Sequence, residues 1–219
     1  VIPELKPTLG FDQHSPHHKY DLYTHIAQVV DQVPGTLPLR WAALLHDVGK
    51  IPTFTRDETG RGHFYGHAQT GAEMADVILR RLKAPTALRQ QVVLLIQQHM
   101  TRLMPEKRLL KRYLGRWGQE TVEQLLYLQQ ADMGSKGVPG EEEQEAFETL
   151  WRLLKETEQE SACLTRKDLA VTGRDLTALG YQGREVGQKL EELLEAVLDE
   201  RVENERGALV GYLERTGGS

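Results

Sequence analysis

The fold is decided by the stretch LRWAALLHDVGK, residues 39–50. Leu44 and Leu45 lie at helical spacing from the tryptophan before them, and a glycine follows shortly after, so the stretch predicts an amphipathic helix that ends at His46-Asp47. Neighbouring residues on a helix project about 100° apart. At a helix end, both side chains of the pair can therefore reach one point from a single segment.

The same helical period recurs along most of the chain. Further apolar stripes are Leu22, Ile26, Val29 and Val33; Met74, Ile78 and Leu82; Val92, Leu95 and Ile96; Thr121, Leu125 and Leu128; Leu150, Leu153 and Leu154; and Leu190, Leu193, Leu194 and Val197. Residues 53–66 carry three glycines without periodicity and predict a loop. Because alternating strand-like runs are missing from this pattern, the sequence predicts an all-α fold, a helical bundle.

Composition excludes several classes of protein. The chain has 219 residues, of which 39% are hydrophobic, so it can bury a core. The formal net charge of -5 argues against a general basic surface, so any nucleic-acid binding must come from a local patch. The single cysteine excludes an internal disulfide and a cysteine-based zinc cluster, and it fits a cytoplasmic location. The longest apolar stretch, Val92–Ile96, is too short to span a membrane.

Five of the predicted helices place a potential metal ligand on or beside their apolar face. These ligands are His25, His46, Asp47, His67, His99 and Asp132. A single histidine in such a position is more often a hydrogen-bonded core residue, and a single aspartate at a helix end is usually a cap. Burying the whole set is costly unless a cation pairs with the carboxylates. The mixed nitrogen and oxygen ligands predict one or two divalent ions with open positions, namely Mn, Fe, Co, Ni, Mg or Zn.

The ordered ligand set resembles the HD superfamily of phosphohydrolases, whose motif is a histidine, a His-Asp pair and a distant aspartate. Here these are His25, His46-Asp47 and Asp132, and His67 lies, with His99, where some members hold a second metal. The resemblance implies a hydrolase in which metal-bound water attacks a phosphomonoester, a nucleotide, a 2′,3′-cyclic phosphate or an RNA end.

Two residues are then expected to be catalytic. Asp47 would hold the ion, and Lys50 would neutralise charge on the phosphate. An equally good explanation of Lys50 is a cation at a helix C-terminus, which the helix dipole favours.

A closer resemblance, to bacterial tRNA nucleotidyltransferases (the CCA-adding enzymes), extends over nearly the whole chain. It is carried by residues 39–50, by GHAQTGAEMA at 66–75, by TGRDLTALGY at 172–181 and by VENE at 202–205. The N-terminal domain of that family, with its Gly-Ser pair and paired catalytic aspartates, has no counterpart here. The resemblance implies descent from the C-terminal part of these enzymes. We expect a helical metal-binding domain over residues 1–161 and a C-terminal helical extension over 162–219.

One stretch departs from the acidic average. Its predicted RNA- or phosphate-binding cations are Arg102, Lys107, Arg108, Lys111 and Arg112, with Arg116 and Trp117 close behind. The stretch could follow the backbone of tRNA-like RNA. A solvated helical face explains the same residues equally well.

Two alternatives to the hydrolase remain open from the sequence. The first is a non-catalytic RNA-binding fragment of a CCA-adding enzyme, with vestigial metal ligands. The second is a cyclic-dinucleotide phosphodiesterase, a related class that shares the His-Asp-x-Gly-Lys motif of residues 46–50 but also carries a Gly-Tyr-Pro signature, which this sequence lacks. The sequence leaves the natural substrate, the identity of the metal and the oligomeric state open.

Overall fold

The computed structural model describes four stretches of the chain, residues 1–14, 20–137, 140–160 and 163–216. In chain order its helices are α1 (Leu22–Gln32), α2 (Leu37–Leu45), α3 (Lys50–Thr53), α4 (His67–Arg81), α5 (Thr86–Gln98), α6 (Lys107–Trp117), α7 (Gln119–Gly134), α8 (Glu141–Gln159), α9 (Gly173–Ala178), α10 (Arg184–Leu198) and α11 (Arg206–Thr216). Short 3-10 helices lie at Pro3–Thr8 and Arg166–Asp168. The prediction of an all-α fold is confirmed.

The chain forms two compact units, and each is built from two separate stretches. The first unit comprises residues 1–102 and 119–147, and the second comprises residues 103–118 and 148–219. The predicted boundary between residues 161 and 162 lies outside the described residues. Residues 103–118 and 148–160, which the sequence-based division places before that boundary, group with the C-terminal segment.

The first unit is a bundle in which α5 packs against α4 and α2, and α1 packs against α2 and α7. Its largest fully buried side chains include, from the predicted stripes, Leu22, Ile26, Leu45, Ile78, Leu95, Ile96, Leu125 and Leu128, together with Leu39 and Leu79. These residues form a core because their helical spacing puts them on one face of each helix. The polar residues on the same faces are carried into the interior with them.

The turn after α2 is held against the start of α4 by close backbone contact. A Cβ atom added at Gly49 would lie 2.2 Å from the carbonyl oxygen of His67 and 2.5 Å from the amide nitrogen of Gly71. A residue larger than glycine would push α4 away from the turn. This close approach brings the first residue of α4 next to the His46-Asp47 pair.

The segment predicted as a loop, residues 53–66, contains a small antiparallel hairpin. Strand β1 (Thr55–Arg56) pairs with β2 (Gly62–His63). The Gly62 N–H also donates to the His14 carbonyl at 3.0 Å. The hairpin thereby fixes the N-terminal segment that contains Gln13, a residue that reaches the site described below.

The second unit has a separate apolar core and two capped helix starts. Leu169, Val171, Leu176, Leu193, Leu194, Leu198, Leu209 and Leu213 form that core. Thr165 with Asp168, and Thr172 with Asp175, form reciprocal capping boxes that satisfy the first backbone N–H groups of the short helices. Among the described residues, no helix has both the length and the apolar character that crossing a bilayer requires.

Candidate metal centre

Four of the predicted ligands converge in the core of the first unit. The Nε2 atom of His25 lies 3.2 Å from Asp47 Oδ2 and 3.1 Å from Asp132 Oδ1. The Nε2 atom of His46 lies 3.2 Å from Asp47 Oδ2 and 3.3 Å from His25 Nε2. His25, His46 and Asp47 are at most 1% exposed. Residues from α1, the α2–α3 turn and α7 therefore meet at one buried point.

These separations fit a shared ion. Two ligand atoms that each lie about 2.1 Å from one ion, at an angle between 90° and 109°, are roughly 3.0–3.4 Å apart. The His25 and His46 nitrogens lie 3.1–3.3 Å from the nearest carboxylate oxygens and from each other, apart from the longer 3.7 Å between His46 Nε2 and Asp132 Oδ1. The four side chains are thus arranged as ligands of one cation would be.

A second group shares Asp47. The Nε2 atoms of His67 and His99 lie 3.3 Å apart, and they lie 3.6 Å and 4.0 Å from Asp47 Oδ1. The His25–Asp132 group approaches Oδ2 of the same carboxylate. Asp47 therefore has one oxygen turned toward each group, as a carboxylate that bridges two ions would have. The second group is the looser one, because its contacts with Asp47 are longer.

Outer hydrogen bonds fix the direction of all four imidazoles. The Nδ1 atoms of His46, His67 and His99 each face the carbonyl oxygen three residues earlier, at 2.8, 2.8 and 2.6 Å. The Nδ1 atom of His25 lies 2.8 Å from Ser135 Oγ, whose hydroxyl donates to the Asp132 carbonyl. Each Nδ1 therefore donates, and each Nε2 is directed toward the centre. Metal-binding histidines are oriented in this way by carbonyls and carboxylates outside the ligand set.

The carboxylates of Asp47 and Asp132 have fewer hydrogen bonds than their oxygens can accept. Both oxygens of Asp47 and Oδ1 of Asp132 are buried without a well-aligned hydrogen-bond donor among the described residues. An unsatisfied buried carboxylate oxygen is costly. A cation bound between the facing nitrogens and these oxygens would remove that cost, which is the strongest sign in the structure that the cluster is a binding site.

Two lysines offset part of the negative charge. Lys50, which is 5% exposed, lies 2.8 Å from Asp47 Oδ2 and donates to Gln13 Oε1 at 2.8 Å. Lys136 lies 2.6 Å from Asp132 Oδ2, one helical turn away on the C-terminal side. Lys50 thus contacts a predicted metal ligand directly, so its buried position is explained by charge compensation within the cluster.

The pKa values follow from burial and these charges. Burial by itself lowers the pKa of His46, but the charges of Asp47 and Asp132 outweigh it and raise that pKa to about 9. Burial would raise the pKa of Asp47, yet His46 and Lys50 hold it well below its usual range. Burial, together with the charge on His46, lowers the pKa of His99 to about 4. In the absence of a metal, the imidazole of His46 is therefore protonated on both nitrogens and positively charged at neutral pH.

The pKa of His67 is shifted in the same direction as that of His99 and in the opposite direction to that of His46. Burial is the largest influence on the pKa of His67 and lowers it. Both imidazoles of the second group are therefore neutral at pH 7. Since their Nδ1 atoms donate to carbonyls, two acceptor nitrogens face each other at 3.3 Å. This pairing is unfavourable until a cation or a water molecule lies between them.

The predicted cation patch is divided by the structure. Arg102 lies in the first unit, and the other four cations lie on α6 in the second unit. Lys107 pairs with Glu160 at 2.6 Å, Lys111 with Glu200 at 3.0 Å and Arg108 with Asp199 at 3.5 Å. Arg112 pairs with Glu195 and with Asp199. Each of these four cations thus has an acidic partner in its own unit, which reduces the positive charge that they offer to RNA.

Three residues of the site were missed from the sequence. Ser135 and Lys136 follow Asp132 by one helical turn, and the i, i+3 and i, i+4 spacing was a usable signal. Gln13 gave no such signal. It reaches Lys50 only because the hairpin at residues 55–63 holds the N-terminal segment in place.

Comparison with known proteins relates the chain to tRNA nucleotidyltransferases. The family model for tRNA nucleotidyltransferase domain 2 matches residues 62–213. The A-adding tRNA nucleotidyltransferase of Deinococcus radiodurans is 34% identical over 216 residues, which cover 94% of this chain and 48% of that protein. The CC-adding tRNA nucleotidyltransferase of Thermus thermophilus is 35% identical over 229 aligned residues, which cover 99% and 50%. The chain spans about half the length of these curated relatives.

These relationships correct the predicted enzyme class. The sequence predicted a phosphohydrolase with Asp47 and Lys50 as catalytic residues, but the relatives are named for nucleotidyl transfer, and hydrolysis finds no support in any of them. The hydrolase prediction is therefore wrong. A buried cluster of histidines and carboxylates is a property of a metal centre, and it does not by itself specify a reaction. The predicted alternative, a part of a CCA-adding enzyme, fits the comparisons better.

Proposed function

This chain belongs to the family of tRNA nucleotidyltransferase second domains, and we propose that it forms the tRNA-binding part of such an enzyme. The observation that carries this proposal is the match to A-adding and CC-adding enzymes along 94% and 99% of the chain. Those relatives are named for adding nucleotides to tRNA. We place the chain in the cytoplasm for the same reason, since that is where such an enzyme meets tRNA in a bacterium.

The chain's role in that reaction would be to hold the RNA. The match covers only about half of each relative. RNA is recognised through phosphate contacts that are sequence-independent and through bases that are not paired. A protein domain that binds RNA therefore needs a local positive or aromatic surface, and it does not need a positive net charge. A net charge of -5 is compatible with such a local surface.

Direct binding measurements test this role. The full chain should bind a tRNA transcript in a fluorescence anisotropy titration, and affinity should fall as salt is raised. A duplex DNA of equal length serves as the control, and we expect weaker binding to it at every salt concentration. Equal affinity for both nucleic acids, or no binding to tRNA at low salt, would overturn the proposal.

The cluster in the first unit supports a second proposal, an HD-type metal centre. One ion would be held by the group His25, His46, Asp47 and Asp132, and a second by Asp47, His67 and His99. Nitrogen and oxygen ligands together suit Mn, Fe, Co, Ni, Mg or Zn. When bound, such an ion would supply positive charge and an acidic coordinated water. Because the two groups lie on helices from different parts of the first unit, the ion would also tie these helices together.

Substitution of the shared ligand tests the centre. Asp47→Asn keeps the size of the side chain but removes the charge, so we expect metal content measured by mass spectrometry to drop to background. Loss of a residue outside the ligand set costs roughly 10- to 100-fold in metal affinity, and loss of a bridging ligand should cost more. The control is Asp31→Asn, an exposed aspartate on α1. Unchanged metal content in Asp47→Asn would refute the centre.

A further inference from the structure

The α6 helix carries one cation that differs from the others. Lys107, Arg108, Lys111 and Arg112 all have carboxylate partners. Arg116 pairs with no carboxylate among the residues that the structure describes. Its guanidinium lies instead 5.5 Å from the centre of the Trp117 ring. Arg116 is exposed, so its charge remains available to an anionic partner.

An aromatic pair accompanies this arginine. The rings of Tyr113 and Trp117, one helical turn apart, are parallel to within 5° and their centroids are 5.5 Å apart. Both side chains are half-buried rather than enclosed. Arg116 and these two rings lie on the same side of α6, because positions 113, 116 and 117 fall within about a third of a turn.

The neighbouring face of α6 is anchored. Leu110, Lys111 and Leu114 are buried. A Cβ atom at Gly115 would lie 2.2 Å from the Leu164 carbonyl oxygen, so the helix backbone contacts that segment directly. The helix cannot rotate about its axis without breaking this contact. The backbone positions from which the two rings and the arginine project are therefore fixed before any partner binds.

We propose that Tyr113, Arg116 and Trp117 form a stacking platform for an unpaired base of RNA, with Arg116 contacting the adjacent phosphate. The proposal rests on the proposed function, in which this chain binds tRNA. This surface is separate from the four α6 cations that have carboxylate partners, namely Lys107, Arg108, Lys111 and Arg112. Aromatic rings stack on any base, and an arginine beside them supplies both a cation–π contact and a phosphate contact. An exposed cation without an acidic partner, next to parallel rings, suits a single-stranded nucleic acid better than an apolar protein surface.

Matched RNA hairpins test the platform. One hairpin carries an unpaired 3′ overhang and the other is blunt, and both are titrated against the full chain by fluorescence anisotropy. Trp117→Ala should weaken binding of the overhang hairpin about tenfold, the loss of one stacked base, and should leave the blunt hairpin unaffected. Trp117→Phe should restore most of the affinity. The slope of log affinity against log salt should not change in either variant, because no phosphate contact is lost.

A variant of Arg116 tests the platform independently of the stacking measurement. Arg116→Met should lower the salt slope by about 0.7, the value for one phosphate contact on a single strand. Lys107→Met is the matched control on the same helix, and its slope should stay unchanged because Glu160 already neutralises that lysine. If Trp117→Ala fails to fold, as judged by circular dichroism, the Arg116→Met slope decides the matter.

The possible failures are distinguishable. If the unsubstituted chain binds neither hairpin nor tRNA, the proposed function itself is wrong. If tRNA binding persists while Trp117→Ala and Arg116→Met match the unsubstituted chain, only the platform is wrong. An equal loss for blunt and overhang hairpins would also overturn stacking on an unpaired base.

Discussion

The metal cluster of the first unit and the α6 helix of the second unit use charged residues in opposite ways. On α6, Lys107, Arg108, Lys111 and Arg112 each face a carboxylate at ion-pair distance, and most of these pairs are partly exposed. In the cluster, three carboxylate oxygens are buried without a well-aligned hydrogen-bond donor among the described residues. Charged side chains that are already paired, as on α6, stabilise the unit in which they lie. Buried carboxylate oxygens that lack a hydrogen-bond donor are satisfied only when a ligand such as a cation binds.

The difference shows that charge density in a sequence is a poor guide to a binding surface. The row of cations in residues 107–112 was the densest positive stretch of the chain, but its partners come from residues 160 and 195–200. The few histidines and aspartates of the cluster carried less formal charge, and Lys50 and Lys136 offset only part of it. What distinguishes the two regions is whether each charge is already satisfied.

The largest effect should come from removing the buried lysine of the cluster. We expect Lys50→Met to destabilise the metal-free protein by about 3 kcal/mol, because Asp47 would lose its closest cation in a buried site. A divalent ion should restore most of that stability, since it supplies the missing charge. Urea unfolding with and without the metal measures both effects.

Lys136→Met is the matched comparison for this variant. Lys136 pairs with Asp132 at 2.6 Å, but its side chain is 30% exposed against 6% for Lys50. Solvent screening should therefore make its loss smaller. If Lys50→Met unfolds at the same urea concentration with and without metal, the ion does not share Asp47 with the lysine.

The two ion positions should differ in how they respond to pH. Because the pKa of His46 is about 9, the first ion must displace a proton from His46 at neutral pH. Its affinity should rise about tenfold per pH unit below pH 9 and level off above it. His99, with a pKa of about 4, is already neutral, so the second ion should release no proton at pH 7. Titration calorimetry in buffers of different ionisation enthalpy counts the protons released by each ion.

The variant His99→Gln separates the two positions. It removes a ligand of the second group and leaves the first group intact. We expect the proton-releasing binding event to survive and the other to disappear. Loss of the proton-releasing event instead would show that the assignment of the two positions is reversed.

The sequence predicted the core of this molecule well because helical spacing is a local property. The stripes around Leu22, Leu45 and Leu95 pointed inward as expected, and the ligands between them were carried to the same place. The position of Gln13 could not be predicted, since it depends on a hairpin contact between Gly62 and His14. The partners of the α6 cations were equally hidden, because Glu160 and Asp199 are distant in the chain. Ligand type and order predicted a metal centre, but they did not specify a reaction.

The smallest effect concerns the saturated charges of α6. A double-mutant cycle with Arg112→Met and Asp199→Asn should give a coupling energy of about 0.5–1 kcal/mol, the range for partly exposed ion pairs. The hydrogen bond from Arg112 is the main cause of the lowered pKa of Asp199, whose usual value is 3.8. A carboxylate whose pKa is lowered by folding contributes stability above its usual pKa and loses it as pH falls further. The coupling should therefore be full at pH 7, shrink below about pH 4 and decrease in high salt.

The exposed Arg152–Glu156 pair of α8 is the control, with an expected coupling near 0.3 kcal/mol. A coupling of zero between Arg112 and Asp199 would mean that α6 does carry free positive charge, and the contrast with the metal cluster would then disappear.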